Sequence, residues 1–596
     1  MRLIAELRRR NVIRMAGLYL VAGWLVTQVA GTLLPMFDAP PWIARTVVTL
    51  LAIGFVPALV FAWIFELTPA GLKRDADVAS ENPIAPRTAR RMDRAVIVIL
   101  ACALTYFAVD KFVIAPRAAR ADFAAVQPGA SPTTKSIAVL PFANTSEDAA
   151  NEYFSDGLAE ELISSLSRLG NLKVIGRTSS FHFKGSTDDS RSIGAALGVG
   201  FLLEGSVRKS ADRVRIAVAL LSVADGANVW SDSYDRELKD IFAVQTEIAT
   251  AVARKLEATL LGDPAGGAGA SDDMRPPNGS VAAYTALMQA NFYANKQSEA
   301  DYRKAIGYYD EAVRLDPNYG LAYAGLSRAW SDLIAIWIGG AQNDADWEKA
   351  RAAAKTALAL APQSSLAHQA LADIKLQADF DLPGAEEEYR RSIALAPADG
   401  TPKIAYAVFL LARGQREEAL ALIRAALALD PLRTEGYVFS GRGLVAMGRY
   451  DEAEAVTRKG VELQPDAARL HSVLTEIAIL RGQPALALAE AGRESEGFWR
   501  DFAMALAMQK QGDAAKADAA LHSFIDAWAR IGGSQVAIIY ALREEPDRVF
   551  EWLDRAFETR DTGALTMPLT DPFLLKYEAD PRFTTYAVKA GLLPPK

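Results

Sequence analysis

The sequence predicts a multidomain chain: three transmembrane α-helices, then an α/β domain with a mixed sheet, then an all-α solenoid. Three observations lead there. Long apolar runs crowd the first 117 residues. The stretch from 135 to 261 switches between strand and helix periodicities. Beyond residue 280, prolines recur at nearly constant spacing.

Composition narrows the function classes. At 596 residues the chain has room for several domains, and its hydrophobic fraction of 51% is high for a wholly soluble protein. A net charge of −7 gives no basic footprint for nucleic acid. Cys102 is the sole cysteine, which excludes an internal disulfide and any cysteine-based metal site. The four histidines, His182, His368, His471 and His522, show no ligand spacing.

The apolar runs fall at residues 12–36, 44–67 and 95–116. The first two are long enough to cross ~30 Å of hydrocarbon at 1.5 Å per residue. The third carries Asp110 and Lys111 near its outer end, where a lysine can snorkel to the interface. Arg2, Arg8, Arg9, Arg10 and Arg14 cluster at the start, and Lys73, Arg74, Arg87, Arg90, Arg91 and Arg94 fall between the second and third runs. The FDAPPW link between the first two has no basic residue. The positive-inside rule then puts the N-terminus in the cytoplasm. Three spans would deliver everything after Pro116 to the periplasmic face of a bacterial inner membrane. A cleaved signal peptide is the competing reading of the first run, but it lacks an A-x-A-type site and a second apolar run follows at once.

Residues 118–134, rich in Ala and Pro, read as a linker. The segment Ile137–Phe142 is a short buried strand, and Leu158, Leu162, Ile163, Leu166 and Leu169 mark one face of a helix with Ser155 and Asp156 at its cap. Leu172–Arg177 reads as a strand and Ser190–Gly198 as a helix. Val214, Ile216, Val218 and Leu220 alternate with Arg213 and Arg215, the pattern of a sheet wet on one side. A helix through Ile241, Val244, Ile248, Val252 and Leu256 closes the domain. The motifs SIAVLPF, EYFSDGLAEEL, VIGRTSSFHFKG, ALGVGFLLEGSVRKS and YDRELKDIFAVQ occur in this order. Together they resemble the TolB-like amino-terminal domain of bacterial membrane-anchored tetratricopeptide proteins. The resemblance covers about a hundred residues of 135–261 and implies a binding or docking module. Relatives of this kind join the module to adenylate cyclase or winged-helix DNA-binding domains, which implies a sensory or regulatory use.

Residues 262–280 read as a flexible Gly/Pro/Ala/Ser linker. From 281 to 596 the chain repeats. Pro317, Pro362, Pro397, Pro431 and Pro465 end successive units, with intervals settling at 35, 34 and 34 residues. That period with a terminal proline is the signature of tetratricopeptide helix pairs. The longer first interval implies an insertion near Trp337–Asp346, three weaker units follow Pro465, and the C-terminal segment resembles a cap.

Catalytic motifs are missing: no G-x-S-x-G, no H-E-x-x-H, no G-x-G-x-x-G and no P-loop. Asp156, Glu160 and Glu161 are explained by a helix dipole, and Arg177 with Thr178, Ser179 and Ser180 by loop capping or by an anion. The sequence therefore predicts a non-enzymatic scaffold or adaptor with no catalytic, cofactor or metal residue. Its partners would be a protein or peptide in the repeat groove and the lipid bilayer, with no nucleic acid. Tyr284, Tyr309, Tyr323 and Trp330 are the candidate groove residues, with helix packing as their alternative use. The second reading is a transmembrane sensory protein acting through a separate cytoplasmic signalling partner.

Overall fold

The computed structural model describes residues 133–168, 172–260, 274–339 and 344–593, with residues 23, 51, 54, 55, 65–68 and 71–74 near the N-terminus. The chain divides into Met1–Asp122 and Phe123–Lys596. In the first unit, strands β1 (Phe65–Thr68) and β2 (Gly71–Arg74) form an antiparallel hairpin.

This corrects the expectation of three transmembrane helices and of a bilayer held through them. Among the described residues no helix is long and apolar enough to cross a membrane. The end of the second apolar run, residues 65–67, lies in a strand of this hairpin and not in a helix. The longest helix described after it, Ile241–Leu260, carries Glu247, Arg254 and Lys255 and is amphipathic. Most residues of the three runs lie outside the described ones.

The α/β domain is built on a mixed sheet. Its strands are β3 (Thr133–Val139), β4 (Ala143–Asn144), β5 (Lys173–Val174), β6 (Val199–Ser210), β7 (Arg213–Ser222) and β8 (Asn228–Glu237). The order is β5-β3-β6-β7-β8, with β4 also paired to β6. β3 runs parallel to β5 and β6, whereas β6, β7 and β8 are antiparallel neighbours. Period-2 burial explains the layering: Leu203, Val207, Ile216 and Leu220 turn to one face. There they meet Leu158 and Leu162 of helix Glu152–Ser167 and Ile241, Val244, Ile248 and Val252 of the closing helix. The first helix begins one turn before the cap expected at Ser155, so Ser155 and Asp156 are buried within it. Residues 177–181 form a short helix where a strand was expected to end.

Eight helix pairs follow among the described residues, from Val281–Ala294 with Glu299–Leu315 to Gly533–Arg543 with Pro546–Glu558. Side-chain caps start several of these helices: Ser280, Ser298, Ser364 and Asp381 each accept from a backbone N–H of the first turn. Three pairs lie beyond Pro465. In the insertion the first helix of the second pair runs on as a π-helical turn, Ile334–Ile338, ending at Gly339.

The C-terminal segment does more than cap the last pair. Leu565, Met567, Leu569, Phe573 and Phe583 share one core with Leu382, Leu410, Leu411 and Leu420. Arg416 donates to the Leu569 carbonyl at 2.6 Å, and Arg413 to the Gly591 carbonyl at 2.6 Å. Residues 565–592 are thus packed into the middle of the array. The insertion reaches the far pairs too: Arg530 donates to the Trp337 carbonyl at 3.3 Å, and Arg560 pairs with Asp344 at 3.0 Å.

Helix pairs approach through small residues. A Cβ on Gly325 would sit 2.3 Å from the buried Tyr309 ring, whereas one on Gly307 would meet nothing. Gly325→Val should lower the urea midpoint by the equivalent of about 1–3 kcal/mol through overpacking. Gly307→Ala, in an open helical position, should raise it by roughly 0.5–1 kcal/mol.

Candidate functional site

The candidate site is the surface formed by the first helices of successive pairs. Eleven residues after each unit-ending proline stand Arg328, Asp373, Val408, Arg442 and Glu476, at intervals of 45, 35, 34 and 34 residues. These are the intervals of the prolines themselves, so the five occupy one structural position and line one surface. Neighbours pair loosely along it. Arg328 Nε lies 3.9 Å from Asp373 Oδ2, and Arg442 Nη2 lies 4.0 Å from Glu476 Oε1. The result is a charge ladder with a basic and an acidic rung at each end and Val408 between.

The first rungs face an open part of the groove. The Arg328 side chain is 33% exposed, and Asp373 is 15% exposed. Asp332, one turn on from Arg328, faces the same space and lies 3.4 Å from Tyr302 Oη. Tyr389 Oη donates to Asp373 Oδ1 at 2.7 Å. Burial pushes the Asp373 carboxyl up to about 6 although Arg328 and Tyr389 oppose it, and burial raises Asp332 as well. Two desolvated carboxylates thus feel the charge of one guanidinium here.

The last rungs lie beneath the C-terminal segment. Arg442 contacts Met567 Sδ at 3.1 Å, and Asp571 caps the backbone N–H groups of Phe573 and Leu574. Burial drives the carboxyls of Glu476 and Asp571 well above their ordinary range, and the Arg442 charge opposes this at both.

Beside these rungs, towards the start of the same helices, Arg469 is held between two rings. Its guanidinium carbon lies 4.9 Å from the Phe439 centroid and 4.6 Å from that of Trp499. Its backbone is left-handed, with φ +80°. The amide of Arg469 donates to Glu494 Oε1 at 2.8 Å.

The residues singled out from sequence fall in different places. Tyr284 is fully buried and bonded to Gln245 of the α/β domain. Tyr309 is buried with its hydroxyl on Asn291 at 2.8 Å. Tyr323 and Trp330 are half-buried, on the side of their helix turned away from Arg328 at ~100° per residue. Tyr323 packs beside Ala324 and Ala357, and Lys349 covers the Trp330 ring at 4.5 Å. Asp156 pairs with Lys184 at 2.7 Å, and Glu160 with Arg177. The ladder was missed, although the proline arithmetic alone would have aligned its members.

The Arg177–Ser180 stretch does bind an anion, and that anion belongs to the chain itself. Asp430 Oδ1 accepts from the Ser179 backbone N–H at 2.8 Å and from its hydroxyl, while Ser179 Oγ accepts from the Leu432 N–H at 2.8 Å. The Gly176 N–H donates to the Leu429 carbonyl at 2.9 Å. A Cβ on Gly176 would lie 2.8 Å from the Asp430 carboxyl carbon, so glycine permits this approach. Asp316, the same position three repeats earlier, accepts from the Asn278 N–H at 2.9 Å. Both aspartates that precede a unit-ending proline therefore hold chain from outside the array.

Two family models match the chain. The Tetratricopeptide repeat model covers residues 410–477, so the helix pairs in that stretch are tetratricopeptide repeats. A model for the HilA/YgeH-like transcriptional regulator, second domain, covers residues 133–251. The curated relative "Putative adenylate cyclase 3" of Rhizobium meliloti (strain 1021) is 38% identical over 224 residues, spanning 37% of this chain and only 36% of the relative. The solved Pseudomonas aeruginosa pilF structure aligns over 44% of this chain and 97% of its own, at 17% identity and a TM-score of 0.26. The hetero-tetramer Cut9–Hcn1 of APC/C aligns over 49% of this chain and 55% of its own, at 14% identity and a TM-score of 0.35.

Two outcomes follow from these contacts. Asp430→Ala strands the buried Ser179 amide at a cost of about 1–3 kcal/mol. Hydrogen exchange at residues 176–182 should accelerate while the sheet amides stay protected. The Asp373 carboxyl has a folded pKa of about 6, above its unfolded value near 3.9. Its contribution to stability is therefore full below about pH 4 and is lost as pH rises through 6. Asp373→Asn keeps the Tyr389 bond and should remove that part of the pH slope, roughly 2 kcal/mol between pH 4 and 7.

Proposed function

We propose that the chain is a protein-binding scaffold whose array holds an extended segment of a partner polypeptide against the open rungs of the charge ladder. The loose Arg328–Asp373 pairing carries this reading. Its 3.9 Å separation leaves both groups short of a direct hydrogen bond while they are half-buried in a groove. Polar groups held that way are ready to exchange partners with an incoming backbone or side chain. Tetratricopeptide arrays present extended concave surfaces of this kind for binding.

The α/β domain then acts as a docking module fused to the array, in keeping with the TolB-like order of its motifs. A second reading makes the same surface regulatory, with a signalling activity held on a separate partner. It draws on the likeness to part of a protein named as a putative adenylate cyclase and to one domain of a transcriptional regulator family.

Site-specific photocrosslinking of the full chain in cells tests the scaffold reading. A benzophenone side chain in place of Gln377, half-buried one turn after Asp373 on the same helix, should give a discrete adduct with a partner chain. The same group at Lys355, exposed on a second helix, should give none. Equal labelling from both positions, or none from either, would overturn the proposal. The identity of the adduct separates a structural partner from a signalling enzyme.

A further inference from the structure

Among the described residues, Arg469 has no carboxylate partner within ion-pair distance. Around Arg469 the charges resolve into couples. Arg433 faces Asp430 at 3.6 Å and Glu435 at 3.7 Å, and Arg442 faces Glu476 at 4.0 Å. Glu494 is spent on backbone: Oε1 accepts from the N–H of Arg469 and Ser495, and Oε2 from the N–H of Ser472. Among the described residues no carboxylate lies within 4.0 Å of the Arg469 guanidinium, and Nε is closed off from solvent with no acceptor.

Three further facts make this an arrangement with a use. The Phe439 and Trp499 rings clamp the guanidinium from 4.9 and 4.6 Å, which fixes its plane and leaves the Nη edge as its means of hydrogen bonding. The residue occupies φ +80°, where glycine would be relaxed and arginine is strained. It also sits on the ladder face, two turns of helix before Glu476. A rigid, desolvated guanidinium edge offers two parallel N–H donors, the fork that matches a carboxylate.

We propose that Arg469 is a carboxylate-recognition subsite of the groove, taking an acidic side chain or the terminal carboxylate of an extended partner segment stacked beside Trp499. The proposal deepens the scaffold reading and rests on it. Arg469 orients by its clamp, binds through its Nη edge, and uses its own amide to hold Glu494 clear of the incoming carboxylate.

The test uses the full chain and a random decapeptide library with free C-termini. Selected peptides should carry Asp or Glu at a fixed position, or should need the free terminus. The best binder, labelled for fluorescence polarisation, should lose at least about tenfold in affinity when that carboxylate becomes an amide. Arg469→Lys keeps a cation between the rings and should keep the melting temperature, yet bind the acid and the amide peptide equally weakly. Arg469→Gly, relaxed at this φ, should behave the same way and guards against an effect of misfolding.

Selected peptides that bind as well in amide form, or Arg469→Lys binding like the parent, would overturn the subsite while leaving the scaffold reading standing. A library that yields no binder to the parent chain would bring down both.

Discussion

Asp430 is the contact on which the arrangement of the large unit turns. It lies within the array, yet its Oδ1 accepts twice from Ser179 of the α/β domain. Burial raises its pKa, and the Ser179 donors together with Arg433 work against that cost. Once it is made, Leu432 and Leu463 close over Ala138, Leu140 and Leu202 beside Ile193 and Leu197. The array thus joins the domain's own short helix in covering part of the sheet's second face. The first face is already covered by its own helices. At the other end, Tyr284 and Met288 of the first repeat helix join the sheet's main core. The α/β domain is therefore clasped at two separate places along the solenoid.

That double clasp sets what the groove can present. Its middle is filled by the C-terminal segment, which takes Arg442 and Glu476 out of contact with water. What stays open are the first rungs, around Arg328 and Asp373, and the mouth around Phe439, Arg469 and Trp499. One open region is short of positive charge and the other holds a cation with no carboxylate partner among the described residues. A partner segment long enough to visit both would meet opposite chemistry at its two ends, which gives it a direction.

Local order was legible in the sequence because it is written locally. Proline spacing marked the helix pairs through Pro465, and period-2 alternation from Val214 to Leu220 marked a sheet strand. The anion at Ser179 was legible as a possibility, but its identity was not, since Asp430 lies 251 residues away. The apolar runs misled because hydropathy counts residues without pairing them: residues 65–67 close the second run yet pair across a hairpin. Aromatics drew attention as groove candidates, and Tyr284 and Tyr309 turn out to serve as buried packing with bonded hydroxyls. The charged rungs escaped notice because each looks ordinary in its own repeat. Only their shared offset from the prolines betrays them.

Repeat proteins ordinarily behave as linear stacks, in which each unit leans on its two neighbours and the outermost unit frays first. This stack has no outermost unit in that sense. Residues 565–592 are embedded among Leu382, Leu410 and Leu420, its second unit touches its seventh through Trp337 and Arg530, and its first is welded to the sheet. Loosening must therefore spread through the whole array at once, so it melts like a globule rather than unzipping like a chain of dominoes.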